Sequence, residues 1–329
     1  MKKCLMFVVF CIVVLALIPL SAMAQAKYKI AFVPKLIGIP YFNAMEEGGK
    51  KAAKDLGVEF IYTGPVTADV AKQSEIVDNL ITRGVNAIAV APNDPAAITP
   101  VLKKAKAKGI LVMTSDTDGA QDVRDLFVNQ ALQDEIGYTI MDTLAKMMKA
   151  EGEFAIVSCG PTAWNLNTWI LYELKKLAEY PNMKLVTIRY AEEDVQQAIN
   201  VMLDLINAFP NLKGVIGQCS TSAPGVAEAV EQAGKTGEIL CTGLSVPSMM
   251  AKYVHNGTVP AFVLWNPVDL GYLTVWAAKY MLDKNKFADG KEITVKGIDT
   301  KPRYLAKDKM LVLGPPKVFD ESNVDQFKF

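Results

Sequence analysis

The sequence predicts an α/β protein built from two successive parallel sheets flanked by helices, and three observations lead there. Short β-branched runs alternate with longer segments whose apolar residues recur at helical spacing. The runs are apolar at consecutive positions, as strands covered on both faces must be. The alternation pauses once, at 126–130, before a second and similar series begins.

Taken in order, residues 28–33 read as the first strand, 41–56 as a helix closed by Gly57, and 58–62 as the second strand. A helix over 70–82 carries Val70, Ile76, Val77, Leu80 and Ile81 on one face and leads through Gly84 into a strand at 87–91. The next helix, 95–108, aligns Ile98, Val101, Leu102 and Ala105, and Gly109 leads into a strand at 110–114. The second series has strands at 154–158, 184–189, 214–217, 238–242 and 261–264 with helices between them. The tail differs, since 292–296 and 310–313 read as strands with no long helix between them.

The start of the chain predicts where the protein works. Lys2 and Lys3 precede an apolar run from Met6 to Leu20, and Ser21-Ala22-Met23-Ala24 ends in a small-x-small cleavage pattern. Residues 1–24 are therefore expected to be a signal peptide cut near Ala24, leaving a chain that begins near Gln25 in the periplasm. No cysteine follows the cleavage pattern to accept a lipid, so a freely soluble protein is expected.

Composition excludes several classes. The chain has 35 basic and 35 acidic residues, two of the basic ones in the leader, and nothing in that balance favours nucleic acid. With 51% hydrophobic residues, the roughly 300 residues after the leader can bury the cores of about two domains. Beyond the leader stand Cys159, Cys219 and Cys241, an odd number. A Cys219–Cys241 bridge or buried free thiols both fit. A single histidine, His255, leaves no set for a zinc site or a histidine-dependent triad.

In open parallel sheets, ligands bind beyond the carboxyl ends of the strands. The loops that qualify are 34–40, 92–95, 115–119, 159–167, 218–224 and 244–247. In the first, Lys35 can donate to a ligand oxygen, while Tyr41 and Phe42 can offer flat apolar faces to a sugar ring; solvation of the lysine and packing of an aromatic are the alternatives. Asp116 ends a hydrophobic strand, and its carboxylate suits vicinal hydroxyls, whereas Asp118 fits a turn. Trp164 is placed to cover a ring, and Asn165 beside it fits either a ligand contact or a helix cap. Trp265 and Asn266 end the last main strand, where the chain turns back toward the first half.

No phosphate loop, nucleophile elbow or dinucleotide fingerprint is present. Glu46-Glu47 and Glu192-Glu193 fall in segments read as helices, where solvated faces are expected. No catalytic residue, metal or cofactor is assigned, and the chain is expected not to be an enzyme.

The order of the leader, Lys29-Ile30-Ala31-Phe32-Val33-Pro34-Lys35, the aromatic pair, Asn86-Ala87-Ile88-Ala89-Val90, Ser115-Asp116, Phe127-Val128-Asn129-Gln130 and Gly257-Thr258-Val259 resembles the type I periplasmic sugar-binding proteins of ABC importers. Within them it is most similar to the branch with the autoinducer-2-binding protein of the Lsr transporter and the rhamnose-binding proteins. The resemblance implies two Rossmann-like lobes with parallel sheets joined by a three-segment hinge, crossing near Asn129, Asn266 and 310–313. The lobes implied are 27–128 plus 266–311 and 129–265 plus 312–329.

It also implies a monomer that closes on a sugar-like ligand and docks on an ABC permease in the inner membrane. By position, Lys35 and Asp116 match ligand-binding residues of the autoinducer-2 branch. An Asp-Gln pair there becomes Asn165-Leu166, a Pro and an Ala become Gln218 and Ser220, and an Asp becomes Asn266. These departures favour a neutral sugar or polyol, such as a pentose, deoxyhexose or furanosyl compound, over autoinducer-2 itself. The alternative is a periplasmic sensor module presenting a sugar or autoinducer-2-like signal to a membrane receptor.

Overall fold

The computed structural model describes residues 28–329. The expected leader, with Cys4, Cys11 and the cleavage site near Ala24, lies outside them. The first unit opens with β1 (Lys29–Val33), α1 (Pro40–Leu56), β2 (Glu59–Tyr62), α2 (Val70–Thr82), β3 (Ala87–Val90), α3 (Pro95–Ala107), β4 (Leu111–Ser115) and β5 (Leu126–Asn129). The second unit follows with α4 (Gln133–Met147), β6 (Glu151–Ser158), α5 (Trp164–Leu177), β7 (Asn182–Tyr190), α6 (Val195–Ala208), β8 (Leu212–Gly217), α7 (Ser222–Gln232), β9 (Leu240–Gly243), α8 (Pro247–His255) and β10 (Ala261–Leu264). The chain then returns through α9 (Pro267–Leu282), β11 (Arg303–Leu305) and β12 (Met310–Val312), and ends on β13 (Lys317–Asp320).

A seven-stranded sheet runs β11-β12-β5-β4-β3-β1-β2, parallel except for the β11–β12 pair. A second sheet runs β7-β6-β8-β9, all parallel, and a Leu244–Val263 bridge carries it to β10, which pairs antiparallel with β13. The expected α/β architecture of parallel sheets is thus present. In each sheet the strand order reverses once, between β1 and β3 and between β6 and β8. Loops diverge at such points and leave a crevice at the carboxyl ends.

The helices begin and end where local chemistry favours it. Asp69, Asp94 and Asp194 cap α2, α3 and α6 through their carboxylates. Each such cap contributes about 1 kcal/mol by satisfying a backbone N–H that the first turn leaves free. Gly57 ends α1 at φ 65°, a conformation that costs glycine little. Helix α9 is buried over most of its surface and packs against α1, which ties the returning chain to the first sheet. The two helices approach so closely that a Cβ on Gly48 would lie 1.8 Å from the Val268 carbonyl oxygen, and one on Gly271 2.0 Å from that of Met45.

The tail departs from the sequence reading. Residues 292–296 form no strand; Glu292 makes a single bridge to Arg303, and β11 takes the place beside β12. Val295 is instead buried in the main hydrophobic core, so its β-branched character serves packing and not a ladder. Among the described residues no helix is long and apolar enough to cross a membrane.

Candidate functional site

Lys35 follows β1, and two buried polar side chains fix its loop. Gln73 of α2, fully buried, donates to the carbonyls of Pro34 at 3.0 Å and Ala91 at 2.8 Å, and accepts from the Asn93 backbone at 3.0 Å. Asn93 in turn donates to the Lys35 carbonyl at 2.8 Å. The loops after β1 and β3 are thereby stapled together. The Lys35 ammonium, itself buried, donates to Asn165 Oδ1 at 2.9 Å. This bond joins the two units directly.

Asp116 follows β4 with φ 69°, a left-handed conformation that Asp adopts more readily than most residues. The turn aims its carboxylate inward, where Oδ1 accepts from the Tyr41 hydroxyl at 2.7 Å and Oδ2 from Thr117 at 3.1 Å. Burial raises the Asp116 pKa, and the Lys35 charge and these two hydrogen bonds oppose the rise. Tyr41 also accepts from Trp265 Nε1 at 2.9 Å, so its ring and its hydroxyl are both held. Asp118 serves the turn behind, accepting from Thr114 at 2.7 Å and pairing with the buried Arg124 guanidinium at 2.5 and 2.8 Å.

Lys35, Tyr41, Phe42 and Asp116 from the first unit meet Asn165, Ser220 and Trp265 across a narrow space of about 40 Å³. Trp265 stands edge-on to Tyr41 and to Trp169, with centroids at 6.1 and 5.7 Å, which makes an aromatic wall beside the polar groups. Asn165 is no helix cap: Ala163 occupies that position, and Asn165 turns its amide to Lys35.

Three other candidates point elsewhere. Trp164 packs edge-on to Phe127 at 6.4 Å and borders an outer crevice with Pro95 and Asp118. Asn165 and Trp169, four residues apart, share the helix face that looks into the cavity, so Trp164 is carried round the helix and out of it. Gln218 is fully buried behind the cavity, where its Nε2 donates to Glu173 at 2.6 Å. Asn266 is spent as the cap of α9, accepting from the Val268 and Asp269 backbones at 3.0 and 3.3 Å. It stands at a crossing between units, as does Asn129, whose carbonyl accepts from Leu313 at 2.8 Å.

Several lining residues escaped sequence reasoning. Glu193, expected on a solvated helix face, lies in the turn between β7 and the α6 cap Asp194, and reaches the cavity. Its pKa is raised by burial, with Lys35 opposing and Asp116 adding to the effect. The overlooked signal was its place just beyond a strand end, ahead of a capping Asp. Trp169 and Cys219 also line the space. Cys219 is bonded to Cys159 with Cα atoms 6.2 Å apart, while Cys241 is free and buried, so the Cys219–Cys241 bridge does not form. The reason is register: Cys241 lies within β9 opposite Val215 of β8, four residues short of Cys219, whereas Cys159 and Cys219 both lie just beyond the ends of the paired strands β6 and β8. The Cys159 and Cys219 sulfurs and the Glu193 carboxylate lie within 4.8 Å of one another, but sulfurs joined in a disulfide are not thiolate ligands.

Glu173, two turns along α5 from Asn165, underlies this wall. Its Oε1 accepts from Gln218, while its Oε2 and Gln218 Oε1 are buried acceptors without a donor among the described residues. Burial pushes the Glu173 pKa up to about 8, and a proton on Glu173 gives the pair the donor it lacks. An unfolded glutamate ionises near its ordinary value of 4.5. The native chain therefore binds the extra proton between these values, and stability falls as pH rises from about 4.5 to about 8. Glu173→Gln should flatten that fall and exceed the wild type at pH 8 by on the order of a few kcal/mol. Denaturant unfolding of both proteins at about pH 5 and 8 tests this; parallel pH curves would show that Glu173 holds no proton.

Comparison with known proteins adds four findings. The periplasmic binding protein domain family matches residues 30–286. The D-allose-binding periplasmic protein of Escherichia coli is 30% identical over 305 residues, spanning 89% of this chain and 93% of that one. Among solved structures, an ABC transporter solute-binding protein from Clostridium phytofermentas with bound L-rhamnose superimposes with a TM-score of 0.85 at 28% identity, covering 91% of this chain and 98% of that one. LsrB from Clostridium saccharobutylicum, in complex with AI-2, shares the fold, with a TM-score of 0.86 at 23% identity over 92% of this chain and all of that one.

Proposed function

Since the chain belongs to the periplasmic binding protein family, we propose that it captures a small neutral sugar or related polyol between its two units and hands it unaltered to an ABC importer. The observation that carries this reading is the Lys35–Asn165 bond beside Asp116. Polar groups from the loops after β1, β4 and β6 converge there on one space walled by Tyr41, Trp169 and Trp265. Donor, acceptor and aromatic face within a few ångströms are what a hydroxylated ring requires. Ligand hydroxyls would replace the direct contact between the units, so each half supplies part of the shell and the bound sugar favours closure. The bodies that close are residues 27–128 plus 266–311 and residues 129–265 plus 312–329, hinged near Asn129, Asn266 and 310–313.

The ligands of the D-allose and L-rhamnose relatives are neutral six-carbon sugars, which supports the ligand class. Asp116 is engaged as an acceptor by Tyr41 and Thr117, and no covalent step is assigned. The protein acts as an exported monomer without nucleic acid, and N-terminal sequencing from a periplasmic fraction should begin at Gln25.

Calorimetry on refolded, ligand-free protein with pentoses, hexoses, deoxysugars and polyols tests the proposal. One-to-one binding of at least one neutral compound, recovered unchanged by chromatography, is expected. Binding of none, or turnover of any, overturns it.

A further inference from the structure

A second space lies at the crossings themselves. Gln130, Trp265, Asn266 and Leu313-Gly314, one stretch from each connection between the units, border a crevice of about 440 Å³ on the side of Trp265 away from the narrow cavity, and Trp265 lines both. Nothing in the sugar-binding reading uses it.

Its floor is unusual. Gln130 is fully buried, yet neither its Oε1 nor its Nε2 has a hydrogen-bond partner among the described residues. Leaving a buried amide unpaired costs about 1–3 kcal/mol for each group, so this side chain is set for an occupant that both donates and accepts. Thr300 Oγ1, also buried and unpartnered, faces the same crevice.

The charge of the crevice selects the occupant further. Asp269 and Asp299 both line it, and the Asp269 carboxyl is pushed up to about 6 by burial and then by the Asp299 charge, with Lys51 opposing. Two like charges thus share the crevice and raise the cost of ionising Asp269. Neither nearby cation forms an ion pair with these carboxylates among the described residues: Lys51 donates to the Gly297 carbonyl at 3.0 Å, and the Lys317 ammonium, within the crevice, lies 4.4 Å from the centre of the Phe327 ring. The remaining walls are apolar, with Trp265, Phe319 and Pro316 prominent. A bare metal ion has no use for such walls, whereas a carbon skeleton does.

We propose that this hinge crevice is a second ligand site, for a small organic cation whose ammonium group sits between Asp269 and Asp299 and whose hydroxyl pairs with Gln130. Because the crevice spans all three crossings, its occupant touches both units and rests on Trp265.

The test needs no knowledge of the sugar. The mature wild-type chain is titrated with 2-aminoethanol, with ethylene glycol as the uncharged counterpart and calcium chloride as the metal, by calorimetry and tryptophan fluorescence. Saturable binding of 2-aminoethanol at one site, with a change in fluorescence and no response to ethylene glycol, is expected. Asp299 is exposed, so Asp299→Asn leaves the fold intact and should weaken that binding at least about tenfold, as loss of a charge-assisted bond does. Gln130→Leu should weaken it likewise, and Glu238→Gln, which removes an exposed carboxylate paired with Lys235 outside the crevice, should change it by less than about twofold, since independent sites do not couple. Failure to saturate by about 10 mM, where affinity is weaker than the millimolar range, overturns the proposal. So does binding that survives Asp299→Asn, binding that Glu238→Gln weakens as much as Asp299→Asn does, or calcium bound in place of the amine.

Discussion

Asp116→Ala is expected to weaken binding of the cognate sugar by about ten- to a hundredfold, because a hydrogen bond to a charged group is worth about 1.5–3 kcal/mol. The loss reaches past one contact. Asp116 is the acceptor for the Tyr41 hydroxyl, and Tyr41 is the acceptor for Trp265, so the variant also frees the aromatic wall. Lys35 would keep its hydrogen bond to Asn165 and lose the opposite charge beside it. Alanine at φ 69° adds strain of about 1–2 kcal/mol, which Asp116→Asn avoids, since Asn accepts that conformation. The asparagine variant separates the two effects: it should match the wild type in thermal midpoint and still bind several-fold more weakly. A dissociation constant unchanged in both variants would remove Asp116 from the site.

Gly271→Ala is expected to cost about 3 kcal/mol or more of stability, at the upper end of what overpacking does. The added methyl would lie 2.0 Å from a backbone oxygen of α1, and backbone cannot rotate aside as a side chain can. Gly48 makes the reciprocal contact from the other helix, so α1 and α9 must separate to admit either methyl. Helix α9 belongs to the returning chain and is what anchors that chain to the first sheet, so the damage should spread to the crossings. Thermal unfolding should show a midpoint lowered by at least about 5 °C. Gly119→Ala is the control, since its Cβ would meet only Thr114 Cγ2 at 3.3 Å and Pro92 at 3.8 Å. Equal midpoints for Gly271→Ala and Gly119→Ala would refute close helix packing.

The alternating pattern of apolar runs made the α/β architecture legible, because strands buried on both faces and helices with one apolar face have distinct periods. Lys35, Tyr41, Phe42, Asp116, Asn165, Ser220 and Trp265 could be singled out since each lies at or just beyond a strand end, and all of them line the cavity. Trp164 and Gln218 met the same criterion and lie outside it. A position beyond a strand says which end of the sheet a residue occupies, and the rotation of the following helix or loop decides which way it faces. Glu193 was misread for a related reason, as its neighbours looked helical until the Asp194 cap set the boundary after it.

Residue order alone determined the kind of fold and which residues stand at the strand ends, and it carries the apolar leader from which export is expected. Those are local properties: periodicity, strand ends and an apolar leader need no distant partner. Packing across the chain decided which cysteines join, which strand-end side chains face inward, and that Gln130 and Glu173 are buried with polar atoms unmet. Each of these depends on residues far apart in sequence brought within a few ångströms, where the cost of desolvation is felt only once the chain has packed around them.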